Sequence, residues 1–233
     1  MTTPFNKTRK MKNKTHEVSV LFYVMATLFT TCLMAANLFA LKQFSLGPAH
    51  FTGALLVFPL SYIINDVVAE VWGFRRARML IWVAFAMNFL FVLLGALVDV
   101  LPGEGMNVEA FHSIFGLAPR VAIASFLAFL VGSFMNAMVM SKMKVRSEGK
   151  RFALRAVLST LAGEACDSVI FFPIALAGVV EWSMMPTFVL WQVGLKTLYE
   201  LLVLPVTVRV VRMVKRHEGV DVYDKGLRYS IFK

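Results

Sequence analysis

The sequence predicts an all-α membrane protein built of six transmembrane helices. Three observations predict it. Apolar residues fill 58% of the 233 positions and charged residues only 16%, against roughly 45–50% and 25% in soluble domains. The apolar residues fall in runs of about twenty, the length a helix needs to cross about 30 Å of hydrocarbon. The lysines and arginines behind the net charge of +10 stand in short clusters between alternate runs. That is the pattern of membrane topology, so a lipid bilayer is the expected surrounding and nucleic acid is not an expected partner.

Each element follows in order. Residues 1–17 read as a basic cytoplasmic tail with Lys7, Arg9, Lys10, Lys12 and Lys14. The first span covers 18–41 and is too long for the core of a cleavable signal peptide. Gly47 and Pro48 break the chain before a second span at 51–71, which the basic group Arg75, Arg76 and Arg78 follows. The third span is 79–99. The connection 100–118 carries Pro102 and Gly103 and has room for a short surface helix. The fourth span, 119–141, leads into Lys142, Lys144, Arg146, Lys150, Arg151 and Arg155. Spans five and six cover 153–178 and 185–209, and residues 213–233 form a second basic tail. Residues 18–212 are thus one six-helix domain. All 24 basic residues except Lys42, Arg120 and Lys196 lie on one side in this assignment. The positive-inside rule makes that side cytoplasmic and places both termini there, as an even number of spans requires. Cys32 and Cys166 both sit inside apolar runs, which speaks against a disulfide framework.

The two halves share features. Span one ends M-A-A-N-L-F-A-L-K and span four contains S-F-M-N-A-M-V-M-S-K, which aligns Asn37 with Asn136. Spans two and five each hold two acids, Asp66 and Glu70 in one, Glu164 and Asp167 in the other. Three spans per unit would set the second unit upside down, the inverted-repeat plan of many secondary transporters. Chance likeness between two Phe/Ala/Met-rich helices is the other reading.

Charges inside spans point to function. Each acid or lysine at a helix centre costs about 2.5–3.5 kcal/mol on insertion scales, so such groups face a cavity or one another. Glu70, near the cytoplasmic end of span two, is read as a gating or coupling group, or as a boundary ion pair with Arg75 or Arg76. Asp66 lies one turn deeper. Glu164 and Asp167 share a face near the middle of span five, beside Gly163. Gln192, Lys196 and Glu200 form an i, i+4, i+8 polar stripe on span six. Lys196 is expected to pair with Glu164, Asp167 or Glu200. The excess of acids over this lysine suits a donor-rich or cationic ligand, or a proton carrier. Asn37, Asn136, Asn88 and Ser61 are candidates to complete a polar cavity, with interhelical hydrogen bonding as the plainer role. Trp72, Trp82 and Trp182 near span ends read as interfacial anchors.

Several chemistries find no support. The sequence has no P-loop and no dinucleotide fingerprint. His16, His50, His112 and His217 avoid the deep spans, and no His/Cys cluster has metal-ligand spacing. Asp66 and Asp167 lack the glycine context of an intramembrane aspartyl protease. Neither an enzyme nor a cofactor is expected.

The stretch F-P-L-S-Y-I-I-N-D-V-V-A-E-V-W-G-F-R-R-A-R, Phe58 to Arg78, resembles the second span and basic loop of the queuosine precursor transporter family, also called vitamin-uptake-transporter-like. Its marker is D-x-x-x-E-x-x-G-x-x-x-A-R, from Asp66 and Glu70 through Gly73 to Ala77 and Arg78. The resemblance continues through Arg120–Asn136 and Ser159–Ala175 to W-Q-V-G-L-K-T-L-Y-E at Trp191–Glu200. It implies a bacterial inner-membrane importer of 7-deazaguanine bases, such as cyano- or aminomethyl-deazaguanine or queuine. The expected partner is thus a small planar base, and a homo-oligomer is compatible. A deazaguanine offers a ring N–H and an exocyclic amine that one carboxylate can accept together. On this reading Glu164, Asp167, Asn37, Asn136, Gln192 and Lys196 bind substrate, and Asp66, Glu70, Arg78 and Glu200 gate or couple protons. A substrate-binding subunit of an energy-coupling-factor importer is the alternative, told apart by co-purification with an ATPase module.

Overall fold

The computed structural model describes residues 19–39, 42–46, 49–105, 107–115, 119–178 and 181–230. The expected N-terminal tail, 1–17, lies outside them. Within them the chain forms seven α-helices and one small hairpin: α1 (Val20–Phe39), β1 (Gln43–Leu46), β2 (Ala49–Thr52), α2 (Phe58–Trp72), α3 (Phe74–Asp99), α4 (Val108–Phe115), α5 (Pro119–Arg146), α6 (Phe152–Leu176) and α7 (Met185–Glu218). The protein is an all-α membrane protein. Five helical stretches, from α1, α2, α3, α5 and α6, are long and apolar enough to cross a bilayer. The sixth expected span is the first part of α7, a helix of 34 residues, about 50 Å long at 1.5 Å per residue.

Three boundaries differ from the sequence reading. The second span begins later, because residues 49–52 pair with 43–46 as an antiparallel hairpin and 53–56 form a 3-10 turn. The basic group Arg75, Arg76 and Arg78 is not a loop but the first turns of α3. The joint is Gly73 alone, at φ +84°, where an added Cβ would lie 2.8 Å from Val222 Cγ1. Glycine meets both demands, which explains the glycine of the sequence marker. Third, α7 runs on to Glu218, and residues 219–230 fold back as a strap across the bundle.

Local chemistry sets the ends. Ser19 Oγ accepts from Phe22 N at 3.1 Å and caps α1. Pro59 occupies the first turn of α2, where its missing N–H costs nothing. α3 has no cap of its own, and Asp224 of the strap supplies one by accepting from Phe74 N at 2.8 Å. α5 and α6 are joined by a tight turn with positive φ at Glu148, Gly149 and Arg151.

α2 and α5 are the central helices, while α1 and α3 present most of their surface outward. Exposed Met79, Val83, Met87, Leu90, Leu94 and Leu97 give α3 a face suited to lipid. The core gathers Phe29, Leu33, Val67, Val68, Phe129 and Phe134. Trp72 is no interfacial anchor: it is 4% exposed and packs edge-on against Phe22, with 5.3 Å between ring centroids. Trp182, at 64% exposed, keeps the surface position. The α2–α3 joint, the α5–α6 turn and the end of α7 meet at one basic end of the bundle. At the other end α4 is tied to α3 by His112 Nδ1 and Asp99 Oδ2, 2.7 Å apart.

Candidate functional site

Helical spacing places polar groups on three facing helices. On α2 the inward positions are Ser61, Tyr62, Asn65 and Asp66. On α6 they form two adjoining rows, Ser159, Gly163, Asp167 and Thr160, Glu164, Ser168. On α7 they are Lys196, Thr197 and Glu200. α5 and α6 touch backbone to backbone here. A Cβ on Gly132 would come within 2.9 Å of the Gly163 carbonyl oxygen, and one on Gly163 within 2.8 Å of the Gly132 carbonyl. Tyr62 wedges against both glycines, its hydroxyl 2.7 Å from the Cβ position of Gly132.

Lys196 Nζ reaches from α7 to α6, 2.6 Å from Glu164 Oε2 and 3.5 Å from Asp167 Oδ2. The expected pairing with Glu164 and Asp167 is therefore made, and Glu200 is left out of it. Asp66 Oδ1 accepts from Ser159 Oγ at 3.4 Å. Asp66, Glu164 and Glu200 are each at most 1% exposed. Glu200 lies within electrostatic range of both Asp66 and Glu164. Four carboxylates thus surround one ammonium in a closed pocket of the bundle.

The other candidates divide. Asn136 joins the cluster through Asn65, whose amide donates to Asn136 Oδ1 at 3.0 Å and to the Ser133 carbonyl at 3.1 Å. Asn37 instead donates to Asn88 Oδ1 at 3.0 Å, tying α1 to α3. Gln192 is on α7 one turn before Lys196, and its side chain lies outside the described residues. Arg78 Nη1 donates to the Ser230 carbonyl at 2.8 Å and stacks on Phe74, so it holds the strap.

Glu70 does not pair with Arg75 or Arg76. Its carboxylate accepts from Arg155 through both terminal nitrogens and from Lys215 Nζ at 2.6 Å, with Lys144 Nζ at 3.9 Å. The reason is helix phase. Arg155, one turn into α6, points inward and is 0% exposed, whereas Arg75 leaves the bundle. The strap completes the cluster. Lys144 donates to Asp221 and to the carbonyls of Glu70 and Val222, and Lys215 Nζ is 2.9 Å from Asp221 Oδ1. Burial alone would push the Asp221 carboxyl up, but hydrogen bonds and charge from Lys144 and Lys215 outweigh it and hold it below its ordinary 3.8. For Lys215 burial works downward and is outweighed by Glu70 and Asp221, which raise it above 10.5. Val222 N donates to the Val71 carbonyl at 3.1 Å, and Ser141 Oγ donates to Asp224 at 2.5 Å. Sequence reasoning missed Arg155, Lys144, Lys215, Asp221 and Asp224 as interior groups. The one available signal was Val220, Val222 and Tyr223 alternating with acids in an otherwise basic tail.

The family model described as putative vitamin uptake transporter matches residues 52–210. A probable queuosine precursor transporter of Bacillus subtilis (strain 168) is 28% identical over 149 residues, 63% of this chain and 65% of that protein. A probable queuosine precursor transporter of Haemophilus influenzae is 30% identical over 152 residues, 64% of this chain and 58% of that protein. The queuosine precursor transporter of Escherichia coli (strain K12) is 26% identical over 127 residues, 54% of this chain and 55% of that protein. The chain thus matches a little over half to just under two thirds of each relative's length. No solved structure matches it.

Proposed function

We propose a function from one premise: the chain belongs to the putative vitamin uptake transporter family. It imports a queuosine precursor, a small planar base of the 7-deazaguanine type, through the bundle that α2, α5, α6 and α7 form. One observation carries the reading beyond the family: four deep carboxylates, Asp66, Glu164, Asp167 and Glu200, meet a single lysine where the helices close on one another. Such an excess of acceptors calls for a ligand rich in N–H donors, and a deazaguanine base has them on one edge.

In this reading the protein works alone in the bacterial inner membrane as a secondary carrier. The basic end of the bundle faces the cytoplasm, in keeping with the positive-inside rule. Glu164, Asp167 and Lys196 form the floor of the cargo site, with Asn136 beside it. Glu70, its cations, Arg78 and the strap close the cytoplasmic exit, and Asp66 links the two levels as the proton-coupling acid.

The test is uptake of labelled precursor by cells unable to synthesise queuosine and lacking any ATPase module for vitamin import. Uptake by the wild type, lost in Glu164→Gln and Asp167→Asn, is the expected result. Uptake that needs an added ATPase module, or that survives in both variants, would sink the reading.

A further inference from the structure

Resting on that transport reading, we infer that Glu200 is the residue that receives the donor edge of the base and sets specificity for its exocyclic amine. The argument is one of vacant valence. Glu164 and Asp167 are already engaged by Lys196, at 2.6 and 3.5 Å. Glu200 is 1% exposed, and neither of its oxygens has a hydrogen-bond partner among the described residues. A carboxylate out of water with both oxygens bare is costly unless donors arrive, and two donors side by side satisfy both oxygens at once.

The surroundings agree. Thr160 Oγ1 and Ser168 Oγ, one turn to either side of Glu164 on the same row of α6, are buried without partners, as is Thr197 Oγ1 on α7. These bare oxygens mark the α6–α7 seam as the place where polar atoms are missing. A base lying in that seam would present its ring N–H and exocyclic amine to Glu200. Its carbonyl would then face Lys196, which Glu164 and Asp167 hold in place. The two ends of the polar stripe therefore differ in task. Lys196 reads the acceptor of the base, and Glu200 reads its donors.

The experiment edits the ligand and the protein together. The purified full chain in lipid nanodiscs is titrated with aminomethyl-7-deazaguanine and with the analogue lacking the 2-amino group. The wild type is expected to prefer the amino compound by about tenfold or more, the scale of a hydrogen bond to a charged group. Glu200→Gln turns one acceptor into a donor and should bring the two affinities to within about threefold. Glu164→Gln and Asp167→Asn should weaken both compounds and keep the preference. Melting of each unliganded variant checks that it is folded, and Glu200→Asp, which withdraws the carboxylate by one methylene, is the second variant and should also lower the preference. A folded Glu200→Gln or Glu200→Asp that keeps the wild-type preference overturns the inference, as does loss of preference in Asp167→Asn alone. A wild type that binds neither compound overturns the transport reading itself.

Discussion

Two clusters of buried ions lie along α6, about 13 Å apart from Arg155 to Glu164 by helical rise. At the basic end, Glu70 and Asp221 are matched by Lys144, Arg155 and Lys215, and every charged group there has a partner. Deeper in, Asp66, Glu164, Asp167 and Glu200 share Lys196, and Glu200 has no donor. Both clusters are built from carboxylates and cations at helix contacts, yet their balances are opposite. The outer one is complete and ties α2, α5, α6, α7 and the strap together. The inner one lacks donors, as a site must that is finished by its cargo. Acids in a membrane span are therefore not equivalent evidence of function; what each one touches separates a fastening from a receptor.

The comparison breaks most visibly at Arg155. Replacing it by Met leaves Glu70 short of its two-pronged partner in the interior, and a loss of about 3–5 kcal/mol is expected in thermal or denaturant unfolding. A near-neutral result would show that Lys215 alone completes the cluster. Next is Lys196→Met, which should abolish uptake and cost about 2–3 kcal/mol, less than Arg155 because Lys196 is partly open. The double variant Lys196→Met with Glu164→Gln should regain much of that stability, and a double-mutant cycle with no coupling would separate the two residues. Gly163→Ala tests the scaffold that both clusters share. Its Cβ has backbone 2.8 Å away, and a cost of about 1–3 kcal/mol with reduced uptake is expected.

Asp224→Ala acts only on the fastening. It removes the cap on Phe74 N and the bond from Ser141, and about 1 kcal/mol should be lost with ligand affinity unchanged. The smallest effect is in pH. Asp221 is held below 3.8, so its contribution is present above that value and disappears as pH falls through the lower folded value. Lys215 is raised above 10.5, so its contribution is present below 10.5 and disappears as pH rises beyond it. Asp221→Asn should flatten the acid side of the stability profile between about pH 2 and pH 5, and an unaltered acid limb would remove Asp221 from the fastening.

Much of the deep cluster was legible in sequence. Glu164, Asp167 and Lys196 are charges inside apolar runs, and a charge there must point at something; i,i+3 spacing on α6 then names the face. Span positions were legible too, because hydrocarbon thickness sets their length. The fastening was not. Arg155 sits among loop bases, and a basic residue near a span end reads the same whether its side chain turns to water or inward. Phase decides that, and phase depends on where the α5–α6 turn starts the helix. The strap escaped because a short segment without periodicity gives no sign of what it lies on. Asn37 and Asn136 show the limit of internal likeness. They align in sequence, but one ties α1 to α3 and the other meets Asn65 beside the acids.

The fastening also has a history in the life of the chain. Glu70 is made 85 residues before Arg155 and 145 before Lys215. While the ribosome is still at work, α2 must enter the bilayer with its carboxylate unmatched, and the partners that settle it come from the last helices to be translated. Synthesis runs from the N-terminus, so the bundle can only be locked at its basic end once α7 and the strap have emerged. A nascent chain halted before Lys215 would be inserted but unlatched, an immature form that quality-control proteases can tell from the finished carrier.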